Sequence, residues 1–331
     1  MSNFVSSWAK NIVTLPENYV MPPDKRPNEH VSIGNNIPVI DLAKASSNTV
    51  NHAELVQEIL KASQEFGLFQ IINHGVSEKL MDDVMDLFKE LFDMSVEMKD
   101  KLFSEDSNKS CKVFGNRYIN GEIRYWRDLL IQPVFPIQED TQHWLENPAR
   151  YRELVEAYST EVRKSCTTIV ELLGEGLGVE LGEELIKAKP WGRTITQLVQ
   201  TQVQPWVRLL IAIPTSLPSF NSKFMDFKFS KMVTGLVFIH FPMHSLSSLV
   251  TRCSNNKLVA CEHRAVTNSE SGRITLGTFV SPAGDCVVEP AKALVNGDSP
   301  ALYRPFKYEE FINDFMAGKE PHKTLTLDNI S

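Results

Sequence analysis

Two stretches late in the chain carry residue types that could hold a metal ion and a dicarboxylate. The first runs Cys261-Glu262-His263-Arg264-Ala265-Val266-Thr267-Asn268, the second Ser271-Gly272-Arg273-Ile274-Thr275-Leu276-Gly277-Thr278-Phe279. Both read as short β-type runs around a polar turn. Alternate residues of a strand share a face. Arg273 and Thr275 therefore present a guanidinium fork beside a hydroxyl, a pair suited to one end of a dicarboxylate. His263, on a neighbouring strand, can give an imidazole to a transition metal. An open iron site of the two-histidine, one-carboxylate kind needs a second His and an acid. The His-x-Asp pair that would supply them is missing from the chain.

The elements that must position these residues are legible upstream. Residues 1–36 are polar and carry Pro16, Pro22, Pro23 and Pro27, which reads as an extended arm before a strand at 37–42. A helix follows across about 50–65, then a strand at 66–73. From Val76 to Met94, the residues Leu80, Val84, Leu87, Leu91 and Phe92 recur at helical spacing, which predicts a core-facing helix. Ser104 to Asn120 is rich in Ser, Asn, Lys and Gly, and so reads as a mobile loop. Pro148 to about Leu177 predicts one long helix, ended by glycines at 174, 176 and 178.

These segments resemble the plant-type Fe(II)/2-oxoglutarate-dependent dioxygenases. Ile37-Pro38-Val39-Ile40-Asp41-Leu42 is similar to the family's opening strand, and Ile72-Asn73-His74-Gly75 to the end of its Asn-His-Gly strand. Tyr125-Trp126-Arg127-Asp128 and Leu302-Tyr303-Arg304-Pro305-Phe306 fall in family order. Asn3-Phe4-Val5-Ser6, Glu161-Val162-Arg163-Lys164, Glu175-Gly176-Leu177-Gly178 and Glu289-Pro290-Ala291-Lys292 are most similar to the hyoscyamine 6-hydroxylase group. The resemblance implies a double-stranded β-helix, or jelly roll, of α+β to mainly β class with a helical N-terminal region. It implies Fe(II) as cofactor, 2-oxoglutarate as cosubstrate, ascorbate as an accessory reductant and a small specialised metabolite, such as an alkaloid, as substrate. His263 would be the distal iron ligand, and Arg273 with Thr275 would grip the far carboxylate. His74 is implied to be structural, at a strand end.

Composition narrows the alternatives. A formal charge of -7 and a pI near 5.7 disfavour a nucleic-acid surface, since phosphate binding calls for a basic face. Cys111, Cys166, Cys253, Cys261 and Cys286 form no CxxC pair and leave one over, so reduced thiols in the cytoplasm are expected. Met1 to Val13 lacks a signal-peptide layout, and no apolar run approaches a membrane span.

The resemblance covers residues 1–196 and 254–331 and lapses between them. From Leu185 to Cys261 the only acid is Asp226, although the chain has 41 in all. Prolines at 205, 214, 218 and 242 interrupt apolar runs, and neither helical nor strand periodicity persists. Codon arithmetic offers a reason. Leu210-Ile211-Ala212-Ile213-Pro214 can be encoded CTC ATT GCG ATC CCA, and the same bases read two positions later give His-Cys-Asp-Pro. In that displaced frame Val207-Arg208-Leu209 can give Thr-Ala-Ser. Asn221 to Gly235 can give Phe-Lys-Val-Tyr-Gly-Leu-Gln-Val-Phe-Lys-Asp-Gly-Asp-Trp, and Met243 to Arg252 can give Ala-Leu-Val-Val-Lys-Leu-Gly-Asp-Thr. All four strings look like the family's.

The chain accordingly divides into an N-terminal region at 1–120, a linking strand and support helix at 121–197, an anomalous and out-of-frame segment at 198–253, and the C-terminal half of the jelly roll at 254–331. Disrupted middle strands and an impaired or absent activity follow. No other residues stand in for the missing ligands. Asp226, His240 and His244 lie in no His-x-Asp or His-x-Glu pattern, and His52-Ala53-Glu54 opens a helix, where i and i+2 face different sides.

Overall fold

A computed structural model describes residues 4–9, 12, 14–20, 37–46, 49–102, 112–114, 118–119, 123–124, 126–135, 144–179, 193–201, 225–227, 237–239, 246–259, 263–265 and 273–316. The chain opens with α1 (Val5–Trp8), β1 (Val39–Asp41), α2 (Thr49–Glu65), β2 (Phe69–Ile72), α3 (Glu78–Asp93) and α4 (Val96–Leu102). It continues through β3 (Lys112–Phe114), β4 (Tyr118–Ile119), β5 (Ile123–Arg124), β6 (Asp128–Phe135), α5 (Tyr151–Leu177) and β7 (Arg193–Thr201). Then come β8 (Met225–Phe227), β9 (Val237–Ile239), α6 (Leu246–Cys253), β10 (His263–Ala265), β11 (Arg273–Ser281), β12 (Val287–Val288), β13 (Phe306–Lys307) and α7 (Tyr308–Met316). The widest sheet among the described residues has the order β11-β7-β6-β3, and a second has the order β1-β2-β9. Helix outweighs strand in this part of the chain, so α+β describes it better than mainly β.

The long helix α5 divides the core. Its first turns, with Tyr151, Leu154 and Val155, pack with Val84, Leu87, Phe88 and Leu91 of α3 onto Leu130 and Val134 of β6. Its later turns, with Ile169, Leu172 and Leu173, meet Leu55, Val56 and Ile59 of α2 and the buried Ile40, Phe69 and Ile71 of β1 and β2. A Cβ at Gly176 would come within 3.2 Å of Val56 Cγ1 and 3.3 Å of Leu60 Cβ, so a larger residue there would need α2 to give way slightly. The helix ends where the sequence places its glycines: Gly178 adopts φ +68 and donates its N–H to the Glu175 carbonyl. Ser77 caps α3 by accepting from Leu80 N–H at 3.2 Å.

Residues 21–36 of the arm lie outside the described residues, and its described part departs from the expected extended form. Residues 5–8 and 17–19 make helical turns, and the segment docks on the start of β6. The Asp128 carboxylate, fully buried, accepts the N–H of Val5 at 2.7 Å and of Ser6 at 2.9 Å. These are helix-start donors with no partner inside their own helix, which is why an acid from afar must meet them. Burial pushes the Asp128 carboxyl upward from its usual pKa, opposed by its bonds to Ser6 and Val5 and by the Lys99 charge. Trp8, Tyr19 and Trp126 then close edge to face, with centroids 5.3 to 5.4 Å apart. Two further expectations are modified. Part of the polar stretch 104–120 forms strands, with Lys112–Phe114 paired to Leu129–Ile131. Within 198–253 the end of β7, all of β8 and β9, and α6 are formed, and α6 buries Leu249, Arg252 and Cys253.

His52 on α2 ties three elements together. Its Nδ1 lies 3.2 Å from the Ala45 carbonyl and its Nε2 2.8 Å from a Glu175 carboxylate oxygen on α5. Two acceptors require both ring nitrogens to carry protons, and the bond to Glu175 is the main reason the His52 pKa is raised. A raised folded pKa means that the stabilisation is complete below the ordinary value of 6.5 and fades as pH rises through the higher folded value. Thermal melts between about pH 6 and 8 are expected to show a fall in midpoint that His52→Gln flattens; identical profiles would show that this contact contributes nothing.

Candidate metal and cosubstrate site

β11 pairs antiparallel with β7 through nine positions, from Arg273 opposite Thr201 to Ser281 opposite Arg193. β7 pairs in turn with β6, so positions 276, 198 and 130, all leucine, form one row across three strands. Ile274 and Leu276 are half-buried against the cluster formed by α3, α5 and β6, whereas Thr275 between them is exposed. Strand alternation thus sets positions 273 and 275 on the face turned away from the helices. The expected pair is on one strand, two residues apart, and its open face is free of the helical layer.

His263 begins β10, which belongs to a different ladder. β10 runs parallel to β8, with His263 opposite Met225, Arg264 opposite Asp226 and Ala265 opposite Phe227. A carboxylate across the ladder from His263 would have to stand at 225, where the chain has methionine. Asp226 is one step out of register.

The segment leading to β10 is firmly held. α6 ends in a turn where Asn255 and Asn256 take φ +50 and +67, values that asparagine tolerates better than most residues. Asn255, nearly fully buried, accepts the Leu302 N–H at 2.9 Å through its side-chain oxygen and donates to the Pro300 carbonyl at 3.0 Å. Asn256 accepts a short hydrogen bond from the Tyr303 hydroxyl. The buried Arg252 guanidinium lies 5.2 Å from the Tyr303 ring centroid, 5.5 Å from that of Phe311 and 5.9 Å from that of Phe306. Burial lowers its pKa from the usual arginine value. Val259 N–H reaches the Ser63 carbonyl on α2 at 3.1 Å. Sequence reasoning noted Tyr303 but missed Arg252 and Asn255. The paired asparagines were a readable turn signal, but their partners lie more than forty residues on.

The remaining histidines do not complete the site. His74 is buried in a turn made by Asn73 at φ +53 and Gly75 at φ +87. Its Nδ1 accepts the Val76 N–H at 3.2 Å, and its carbonyl accepts the Ser165 hydroxyl at 2.6 Å. It is a structural residue, as the resemblance implied. Of the eight histidines, only His52 has an acid two residues later, and its ring is engaged with Ala45 and Glu175 as described. His240 and His244 lie outside the described residues. Among the described residues, no three His, Cys, Asp or Glu side chains gather as a metal site would need. Among the described residues, the donor set does not fit a ferrous ion.

Comparison with known proteins identifies the scaffold. A family model described as non-haem dioxygenase in morphine synthesis, N-terminal, matches residues 37–152. Hyoscyamine 6-dioxygenase from Hyoscyamus niger is 32% identical across 97% of this chain and 97% of its own length. Flavanone 3-dioxygenase 2 from Oryza sativa subsp. japonica is 28% identical across 92% and 91%. Among solved structures, JOX2 in complex with 2OG, Fe and JA aligns with a TM-score of 0.72 at 22% identity, over 93% of this chain and 91% of that one. The dioxygenase for auxin oxidation in rice aligns with a TM-score of 0.62 at 18% identity, over 88% and 100%. The fold is that of the iron and 2-oxoglutarate oxygenases, a jelly roll with helical support. The chain belongs to the plant-type Fe(II)/2-oxoglutarate-dependent dioxygenase family, whose cofactor and cosubstrate are those two species. No described helix is long and apolar enough to cross a membrane.

The turn before β10 can be tested directly. Asn255→Gly keeps the backbone conformation but loses both side-chain bonds, while Asn255→Ala adds the left-handed strain of roughly 1–2 kcal/mol. Urea denaturation is expected to rank the wild type above Asn255→Gly and Asn255→Gly above Asn255→Ala. Equal midpoints for all three would remove this anchor.

Proposed function

We propose that the chain descends from an enzyme that oxidises an unactivated C–H bond of a small specialised metabolite, with 2-oxoglutarate converted to succinate and CO2, and that in its present form it does not turn over. The supporting observation is the donor deficit: one imidazole position at His263, methionine across the ladder from it, and no His-x-Asp pair in the sequence. In this reading His263 is the surviving distal ligand, and Arg273 with Thr275 is the surviving grip for the far carboxylate. The hyoscyamine 6-dioxygenase likeness favours an alkaloid or similar compound as the ancestral substrate. The chain as it stands is then a non-catalytic member of its family.

Magnitudes support the inactive half of this reading. A charge-assisted hydrogen bond contributes roughly 1.5–3 kcal/mol, whereas a millimolar dissociation constant already requires about 4 kcal/mol. One such bond falls short of that threshold, and the two or three bonds of the clamp reach it only narrowly. After anaerobic loading with Fe(II), equilibrium dialysis is expected to find far less than one iron per chain, and no succinate is expected above the protein-free control. Calorimetry should detect 2-oxoglutarate binding no tighter than about 1 mM, and the weak signal should vanish in Arg273→Ala. Stoichiometric iron with sustained succinate release would overturn the proposal.

A further inference from the structure

Three kinds of contact fasten the N-terminal arm to the body, and they converge on the head of β6. The first is polar: the buried Asp128 carboxylate accepts the N–H of Val5 at 2.7 Å and of Ser6 at 2.9 Å. The second is cationic. Lys99 of α4, itself buried, donates to the Ser6 hydroxyl at 3.0 Å and to the Phe92 carbonyl of α3 at 2.8 Å, and its ammonium stands 5.6 Å from the centroid of the Phe4 ring. The third is apolar: Phe4 enters the cluster of α3, α5 and β6, while Val5, Ala9, Leu15 and Tyr19 gather with Trp126. The turn at Glu17–Tyr19 lies against β5, the strand just ahead of Trp126.

The seam between arm and body is not fully satisfied. The Ser7 hydroxyl and the indole N–H groups of Trp8 and Trp126 are buried along it without a hydrogen-bond partner. A buried donor that has given up water and found no acceptor opposes its own burial. Each of the three regains a hydrogen bond to water when the seam opens. Specific fastenings together with unmet donors are what a contact that opens and recloses would show, as local openings below the global unfolding energy do.

Position gives such an opening a consequence. Asp128 is the first residue of β6 and stands in register with Gln200 of β7, which stands in register with Ile274 of β11. Thr201 and Arg273 pair one step further out, beyond the last rung that β6 supplies. Holding the head of β6 therefore braces the end of the sheet at which Arg273 stands.

We propose that the described residues of the arm, from Phe4 to Val20, form a strap that opens and closes as a unit apart from global unfolding, with Asp128 as its clasp, and that its opening loosens the start of β11. The closed strap orders positions 273 to 276, and the open strap lets them fray. The inference does not rest on the inactivity argued above and holds whether or not the chain turns over.

Hydrogen exchange of the full-length chain under native conditions, read by mass spectrometry, tests the strap. Peptides from 4–20 should exchange at least about a hundredfold faster than those from the buried turns of α5, yet at least about tenfold slower than a free peptide of the same sequence. Asp128→Asn keeps the size of the side chain and gives up its charge. It should speed exchange over 4–9 by about tenfold to a hundredfold, speed exchange over 273–276 with it, and leave α5 unchanged. Ser7→Ala should act in the opposite sense, slowing strap exchange by about fivefold or more, because it deletes a hydroxyl that the closed strap leaves without a partner. Where Asp128→Asn unfolds the chain, Ser6→Ala carries the test: it removes the hydroxyl bound by Lys99 and should speed strap exchange by about threefold or more with α5 unchanged. Strap and α5 exchanging alike in every variant would overturn the proposal, since the arm would then belong to the global folding unit. A strap that exchanges as fast as the free peptide, or no more slowly after Ser7→Ala, overturns it as well. Faster strap exchange with 273–276 unmoved defeats the link to β11. None of these readouts involves iron or succinate, so their failure leaves the reading of activity untouched.

Discussion

The register of β6, β7 and β11 governs what this chain can show to a ligand. Side chains on a strand alternate, so a one-residue slip of β11 would send positions 273 and 275 into the helical layer and bring Ile274 and Leu276 out of it. Burying one such aliphatic side chain is worth about 1.5–3 kcal/mol, and a slip would forfeit two at once against α3 and α5. The face on which positions 273 and 275 stand is thus decided by the apolar residues on either side of Thr275.

The same separation of scaffold from chemistry holds around His263. Arg252 among three aromatic rings, Asn255 between Pro300 and Leu302, and the Val259 bond to α2 fix the approach to β10 through contacts that owe nothing to a metal. Packing is cumulative, so the loss of one stretch leaves the rest of the core in place. Metal binding is not. A ferrous ion takes its donors in one geometry at one time, and a single imidazole is not one third of a site.

Elements whose signal is local were legible in the sequence. The helical stripes of α3 and α5, the glycine at 178 and the Asn-His-Gly turn announce themselves within a few residues, and the structure has each of them. The Arg-x-Thr pair was legible for the same reason, since type and spacing suffice on a strand. What escaped depends on distant partners. Nothing near Val5 says that its N–H will meet a carboxylate 123 positions away, and an arm with four prolines looks extended until Asp128 and Trp126 are brought to it. The strand at 112–114 hides in polar residues because the ladder to β6 supplies what its composition does not. The sequence shows no His-x-Asp pair, and the described residues gather no three metal-ligating side chains.

Among the described residues, the donors cannot be rearranged into a ferrous set by small shifts. Asp226 is the nearest acid to His263 in the ladder register, and it stands across from Arg264. Sliding β8 by one residue would bring position 226 opposite position 263, yet the pair so formed is one imidazole and one carboxylate. A second imidazole is still required. The histidines at 240 and 244 are separated from Asp226 by the whole of β9, which is held to β2 by its own ladder from Phe69 to Ile71.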